Sequence, residues 1–208
     1  MSAPSSPLPP PLPTSSPTAI RANGRGHVVT TVHARGAATL DGMLELAERA
    51  SRALPLDDVL ASLVEQIARL AGVEVCSLYL RADHDGNEDD LVLRATHGFP
   101  QESVGVVRMR VGEGLTGFAV ECLRPVSVAA AVVDARNKRF DSLREERFPA
   151  LCALPLIDSG RGVGALVVQR REMRAFDERE VVQIAAMAPV VLFALERART
   201  RQRALAAL

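Results

Sequence analysis

Tryptophan is absent from this chain of 208 residues, tyrosine occurs once (Tyr79), and aromatic residues make up only 3%. Hydrophobic residues at 48% still suffice for a core, which must therefore be built from Val, Leu, Ala and Ile. Cysteine is scarce: Cys76, Cys122 and Cys152 lie far apart and form no CxxC pair. That argues against a zinc site or a disulfide framework and suits a reducing cytosol. Net charge is zero, 25 basic against 25 acidic residues, so no global field recruits nucleic acid or an anionic membrane. Lysine is nearly missing, with Lys138 alone among arginines. No window approaches the roughly 18 uninterrupted apolar residues of a membrane span. No basic leader precedes an apolar stretch, as a secretory signal would require. A soluble, cytoplasmic protein is expected, of a length for one domain plus a tail.

Seven of the 13 prolines fall within residues 1–17, interleaved with Ser and Leu. Such a segment cannot bury a core and reads as a disordered, polyproline-II-prone leader. Pro7-Leu8-Pro9-Pro10 fits a PxxP ligand pattern, with a solvated tail as the plainer reading. Residues 18–38, with Arg21, Arg25 and Arg35 and no acid before Asp41, read as a weakly basic linker in which 28–32 could form a short strand. The expected organisation is a leader and linker over 1–38 and one domain over 39–208.

From Thr39 the pattern becomes periodic. Leu40, Met43, Leu44, Ala47 and Ala50 predict a helix to about Leu54. Pro55 ends it and opens a second, with Asp57 and Asp58 at the positive end of the dipole, a stripe of Val59, Leu63, Ile67 and Leu70, and Gly72 as stop. Strands are predicted over 73–80 and 91–97, joined by a turn at Asp85-Gly86, then over 104–111, 126–133, 150–157 and 162–169. Short helices are expected over 114–123 and 140–146. The last helix opens on a capping-box pair, Asp177 and Glu180, with Phe176 and Val181 at staple spacing, and is read as continuing past Pro189 to about Ala206. Helices, meandering strands and a closing helix describe an α+β sandwich.

Gly112-Glu113-Gly114-Leu115-Thr116-Gly117 satisfies GxGxxG, with Asp134 about 20 residues on, as a dinucleotide fingerprint would. Arg108 and Arg110 make the preceding strand half exposed, and Pro125 stops the following helix too soon to cross a parallel sheet. A strand-to-helix turn that needs flexible backbone is the better reading. No Ser/His/Asp order, metal-ligand spacing or phosphate loop appears elsewhere, so no metal and no cofactor is expected.

The order RVGEGLTG, RPVSV, RFDSLREERF, ALPL, GVGALVVQRRE and FDERE resembles a GAF domain over about residues 40–197. It is similar to the variant that heads the nitrogen-branch phosphotransferase enzyme I. The resemblance implies a six-stranded antiparallel sheet, terminal helices on one face and a ligand pocket under short helices on the other. The family's cyclic-nucleotide signature, Asn-Lys then Phe-x-x-x-Asp-Glu, corresponds to Gln169-Arg170, Phe176 and Glu180-Val181. The departures argue against cyclic nucleotides, although an Arg170–Glu180 ion pair could replace the family's Lys–Asp bridge. Leu166 stands where the family can carry a ligand-binding acid.

By the same resemblance the pocket is expected to be lined by Ser77, Thr96, His97, Leu115 and Thr116. Its lid is expected to carry Arg139, Phe140, Arg144 and Glu145. Arginine would grip a ligand carboxylate and an acid its ammonium. A solvated charged helix is the alternative for that stretch, and a surface or hydrogen-bonding role the alternative for His97. The resulting expectation is a stand-alone, non-enzymatic sensor. It would bind a cytoplasmic metabolite, glutamine or 2-oxoglutarate by resemblance, and signal through its terminal helices as a homodimer or to a partner protein. The dimer seam is expected at Ile184, Val191, Ala194, Ala198 and Leu205, with Met43, Ala47 and Ala50. The catalytic alternative within the fold is free methionine sulfoxide reduction by cysteine redox chemistry. The three cysteines match no such motif and read as small buried hydrophobes.

Overall fold

The computed structural model describes residues 32–82 and 88–206, with side chains from Leu40 to Leu205. The proline-rich leader, most of the 28–32 strand reading and the Asp85-Gly86 turn lie outside the described residues. The helix α1 runs Val32–Ala50, so it starts eight residues before Leu40, inside the stretch read as linker, and stops short of Leu54. The next helix, α2 (Leu56–Ala71), carries Asp57 and Asp58 in its first turn. It ends at Gly72, whose left-handed backbone (φ 65°) lets its N–H reach the Ala68 and Arg69 carbonyls.

Six strands follow: β1 (Val75–Arg81), β2 (Asp90–His97), β3 (Arg108–Arg110), β4 (Val126–Val128), β5 (Ala150–Asp158) and β6 (Arg161–Arg170). They form one antiparallel sheet in the order β3-β2-β1-β6-β5-β4. The nine-residue helix α3 (Gly114–Cys122) joins two antiparallel edge strands, so it is no crossover of a dinucleotide fold. The strands expected over 104–111 and 126–133 are realised only at β3 and β4. A turn over 104–106 and the 3-10 turn Ala131–Val133 take much of the rest.

Alternation along the strands divides the interior in two. Cys76, Leu78 and Leu80 of β1, Cys152 and Leu154 of β5, and Leu166 and Val168 of β6 face the helices and join Leu60, Leu63 and Ile67 of α2. Val75 and Tyr79 of β1, Leu151 and Ala153 of β5, and Ala165 and Val167 of β6 face the short helices and join Leu115, Leu143 and Phe148. Each fully buried leucine contributes about 1.5–3 kcal/mol. Pairing of β1 with β2 shifts between Leu78 and Tyr79, skipping Arg94. This bulge lets Leu93 and Thr96, three residues apart, both face the second layer, while Arg94 turns to Asp57 of α2 (2.7 Å).

The closing helix is two helices, α4 (Glu178–Ala185) and α5 (Ala188–Ala206). Pro189 has no N–H to continue the ladder, and short-range bonds from Met187 to Ile184 and from Val190 to Met187 bridge the break. The capping box of Asp177 and Glu180 is formed as the sequence predicted. By length and hydropathy Glu178–Leu205 would suffice to cross a membrane. Its residues Ile184, Met187, Val191, Ala194 and Leu195, however, are buried in the helix-side core. Ile184, Val191, Ala194 and Ala50 are thereby unavailable as a dimer seam, and Met43 packs against the same core. The large apolar residues left exposed on the terminal helices are Leu40, Leu44, Val182, Phe193 and, of the expected seam, Leu205.

Candidate functional site

The second layer of the fold is a covered face. Between β4 and β5 the chain leaves the sheet at Ala130 and returns at Ala150. The Ala131 N–H bonded to the Pro149 carbonyl (2.7 Å) ties the two ends together. The 140–146 helix expected from sequence is two 3-10 turns, Asp141–Leu143 and Glu145–Arg147, hinged at Arg144 in the left-handed conformation (φ 52°). Side-chain placement explains the break. A continuous helix would present one stripe, whereas this segment sends Leu143 and then Phe148 into the core from two separate turns.

Three contacts fasten this lid to α3. Lys138 pairs with Glu113 at 2.8 Å, and its backbone abuts Gly114 where a Cβ would sit 3.0 Å from the Lys138 Cβ. Glu113 also accepts the Arg110 N–H, and both contacts, Lys138 first, hold its pKa below the usual carboxylate range. Arg136, paired with Asp134, lies over the Phe118 ring at 5.4 Å. Asp134 is lowered to about 2, chiefly by the Arg136 side chain and then by its backbone N–H.

Beneath the lid, Ser77 and Thr96 sit on adjacent strands with hydroxyls 2.8 Å apart, both buried. Gln169, on the same face of β6, donates to the Phe148 carbonyl at 3.4 Å. Phe99 meets Phe148 edge-on at 6.0 Å and closes that end. Leu115 and Thr116 are buried where α3 begins. Of the expected lining residues, Ser77 and Thr96 are joined by a hydrogen bond and Leu115 lies in the buried cluster of the same layer, while Thr116 is buried beside it at the start of α3. His97, next along β2, is exposed, because alternation turns it away from Thr96. Of the lid residues, Arg139 and Arg144 are exposed, Phe140 is half-buried and packs against the covered cluster, and Glu145 is half-buried. Leu166 faces the helices, on the opposite side from the covered layer.

Glu145 is the electrostatic anomaly of the lid. Burial pushes its carboxyl up to about 7, against the Phe140 N–H and the positive charge of Arg139, with Glu146 adding to the rise. Its charge in turn raises the pKa of the buried Tyr79 phenol, itself chiefly desolvated. Sequence reasoning missed Gln169 and Tyr79 as members of this layer, although their alternation with Val168 and Leu78 carried the signal.

The thiols lie elsewhere. Cys76 and Cys152 are both buried on the helix-facing side, each opposite Val168 of the intervening strand β6. Two strand spacings, about 9–10 Å, separate them, too far for a disulfide. Burial pushes Cys76 well above the ordinary thiol range and Cys152 up to about 12. Cys122 is exposed at the end of α3. Arg170 donates to Glu180 at 2.7 Å and to the Arg174 and Ala175 carbonyls, and stacks on Phe176 at 4.0 Å, so the ion pair expected from sequence is formed.

This arrangement is that of a GAF domain, and the GAF domain profile matches residues 53–196. The chain belongs to that family. It is 33% identical over 141 residues to the phosphoenolpyruvate-dependent phosphotransferase system protein of Escherichia coli, covering 68% of this chain and 18% of that protein. The chain thus spans under a fifth of the curated relatives it matches. Among solved structures, the GAF domain of a Coxiella burnetii phosphoenolpyruvate-protein phosphotransferase is 27% identical, with a TM-score of 0.68 over 80% of this chain and 96% of that one. The corresponding Acinetobacter domain is 25% identical, with a TM-score of 0.61 over 78% and 98%. The free methionine-R-sulfoxide reductase of Neisseria meningitidis, solved with its substrate, shares the fold at 19% identity (TM-score 0.65, covering 80% and 93%).

Proposed function

We propose that this protein is a regulatory sensor whose lidded face takes up a small cytoplasmic metabolite and whose terminal helices pass the signal on, within a homodimer or to a partner protein. The observation that carries the reading is the layer under residues 130–149. That loop carries the half-buried Glu145 and covers the face of the sheet that holds the buried Ser77, Thr96 and Gln169. The likeness to phosphotransferase GAF domains favours a nitrogen-status signal, with glutamine and 2-oxoglutarate as candidates. Leu143 and Phe148 fill the space in the structure described, so ligand entry displaces the lid.

A binding role is favoured over the reductase alternative by the placement of the thiols. Two are walled off on the far side of the sheet with raised pKa values, and a thiolate is what such chemistry needs. Sensing without catalysis is the reading adopted. A thermal-shift screen against amino acids, 2-oxo acids and cyclic nucleotides tests it. A ligand at a hundred times its dissociation constant stabilises the fold by about 2.7 kcal/mol. No shift with any metabolite, or thiol-dependent turnover of free methionine sulfoxide, overturns the proposal.

A further inference from the structure

A cavity lies on the far side of the sheet from the lid, where the turn between α1 and α2 meets the second half of α5. Its volume is about 170 Å³, below the range usual for drug-sized ligands, so it fits a small one. The floor is apolar and built of small side chains. Ala50, Val59 and Ala194 belong to the helix-side core, and Ala198 lies half-buried one turn on from Ala194. Alanine on two successive turns of α5 leaves open a space that a close-packed interior would fill. The walls carry Arg52 from the turn, and Arg197 and Arg201 from α5, and no acid lines the space. Over the whole chain 25 basic residues are balanced by 25 acidic ones, so this excess is local. All three arginines are exposed, and among the described residues none has an ion-pair partner. Arg199, between the two on α5, reaches Asp158 (3.6 Å), and Asp57 at the start of α2 is taken by Arg94. Arg197 lies over the Phe193 ring at 5.6 Å, a contact that supplies no anionic acceptor for its N–H groups. Like charges four residues apart on a helix repel, so Arg197 and Arg201 destabilise each other until an anion joins them.

We propose that this cavity is a ligand site of its own, specific for a phosphate monoester carried on a small apolar body. Three guanidinium forks match the three terminal oxygens and nearly double charge of a phosphate. A carboxylate, with two oxygens and one charge, satisfies them less well. The alanine-floored space takes the apolar body. The site uses no residue of the lidded face, so it stands or falls separately from the sensor reading. It touches α2, α5 and the end of α1, and so a ligand there acts on the terminal helices directly.

Hexyl phosphate is the probe, with inorganic phosphate, hexanoate and hexanol as its partial matches. Isothermal titration of the full chain at about pH 8, where the ester is a dianion, reads the affinities. Hexyl phosphate is expected to bind about tenfold or more tighter than inorganic phosphate, which lacks the body, and than hexanoate, which lacks an oxygen and a charge. Hexanol is expected not to bind. Changing Arg197→Gln and Arg201→Gln together is expected to weaken the ester by about tenfold or more. Arg179→Gln, at an exposed arginine of α4 outside the cavity, leaves it unchanged. Ala198→Leu fills the floor and is expected to remove the gain from the hexyl group, and a cooperative melt shows that each variant folds. Failure of hexyl phosphate to bind overturns the proposal, as does equal affinity for inorganic phosphate or an unchanged affinity in the double arginine variant. Vesicles containing phosphatidic acid test a lipid source of the same headgroup. Capture by the vesicles without binding of the soluble ester overturns the small-molecule site.

Discussion

Glu145 and Glu180 are held in opposite electrostatic surroundings, and the pH dependence of stability separates them. Glu145 is raised to about 7, so the folded state keeps its proton longer than the unfolded chain does. Its effect is to lower stability as pH climbs from about 4.5 to about 7, and the loss persists above that. Glu180 is lowered to about 2, first by Arg170 and then by Arg174, and contributes stability above about 4.5 that is lost as pH falls toward 2. Glu145→Gln is therefore expected to stabilise by about 1–3 kcal/mol at pH 8 and by almost nothing at pH 4. Glu180→Gln is expected to cost about 2 kcal/mol at pH 7, with the difference shrinking toward pH 3, because Arg170 is left half-satisfied. Urea unfolding across this range checks both signs. The role of Glu180 was legible in the sequence because its cap and its pairing partners lie within ten residues of it. The burial of Glu145 was not, since it depends on β1 arriving beneath the lid from 66 residues upstream.

At the scale of elements, long periodic segments were readable and short ones were not. The stripe, dipole-matched start and glycine stop of α2 are local, and so are the caps of α4. The segments around β3, β4 and the lid are set by what they pack against, and so three-residue strands and single turns stand where longer elements were expected. The glycine-rich turn into α3 shows both effects. Gly112 and Gly114 take positive φ (85° and 68°), as a turn reading requires. Gly117 does not, and is fixed by packing: a Cβ there would run into the Arg110 carbonyl and sit 3.1 Å from the Gly112 nitrogen. Neither neighbour can yield without moving the turn. Gly117→Ala is expected to cost about 2 kcal/mol or more. Gly105→Ala, which opens onto free space and carries only the penalty of φ 79°, should cost about 1 kcal/mol. Thermal melts of the two variants rank them, and an equal or reversed order would show that the turn is not held by that close approach.

For the whole molecule, the periodicity of the terminal helices was visible in the sequence, but which stripe turns inward was not. Apolar positions occur on more than one side of α4 and α5, and only the sheet decides between them. Val191 and Ala194 went to the core, leaving Val182, Ala186, Pro189 and Phe193 at spacings of four, three and four on the outside, all exposed. Val182 is 63% and Phe193 48% exposed, and α1, which packs against α5, shows Leu40 and Leu44 at 62% and 56%. The outer surface of α1 is acidic at Asp41, Glu45 and Glu48, while the end of α5 is basic at Arg197, Arg201 and Arg203. A two-fold axis would join the apolar ridges and set unlike charges against each other, as a self-complementary interface requires. Phe193→Glu is accordingly expected to leave the melting temperature of the fold nearly unchanged and to convert a dimer to a monomer. Val191→Glu places a charge in the core and should unfold the chain. Light scattering at tens of micromolar reads the mass, and a monomer in the unmodified protein, or a dimer that survives Phe193→Glu, would remove the outer stripe as its seam.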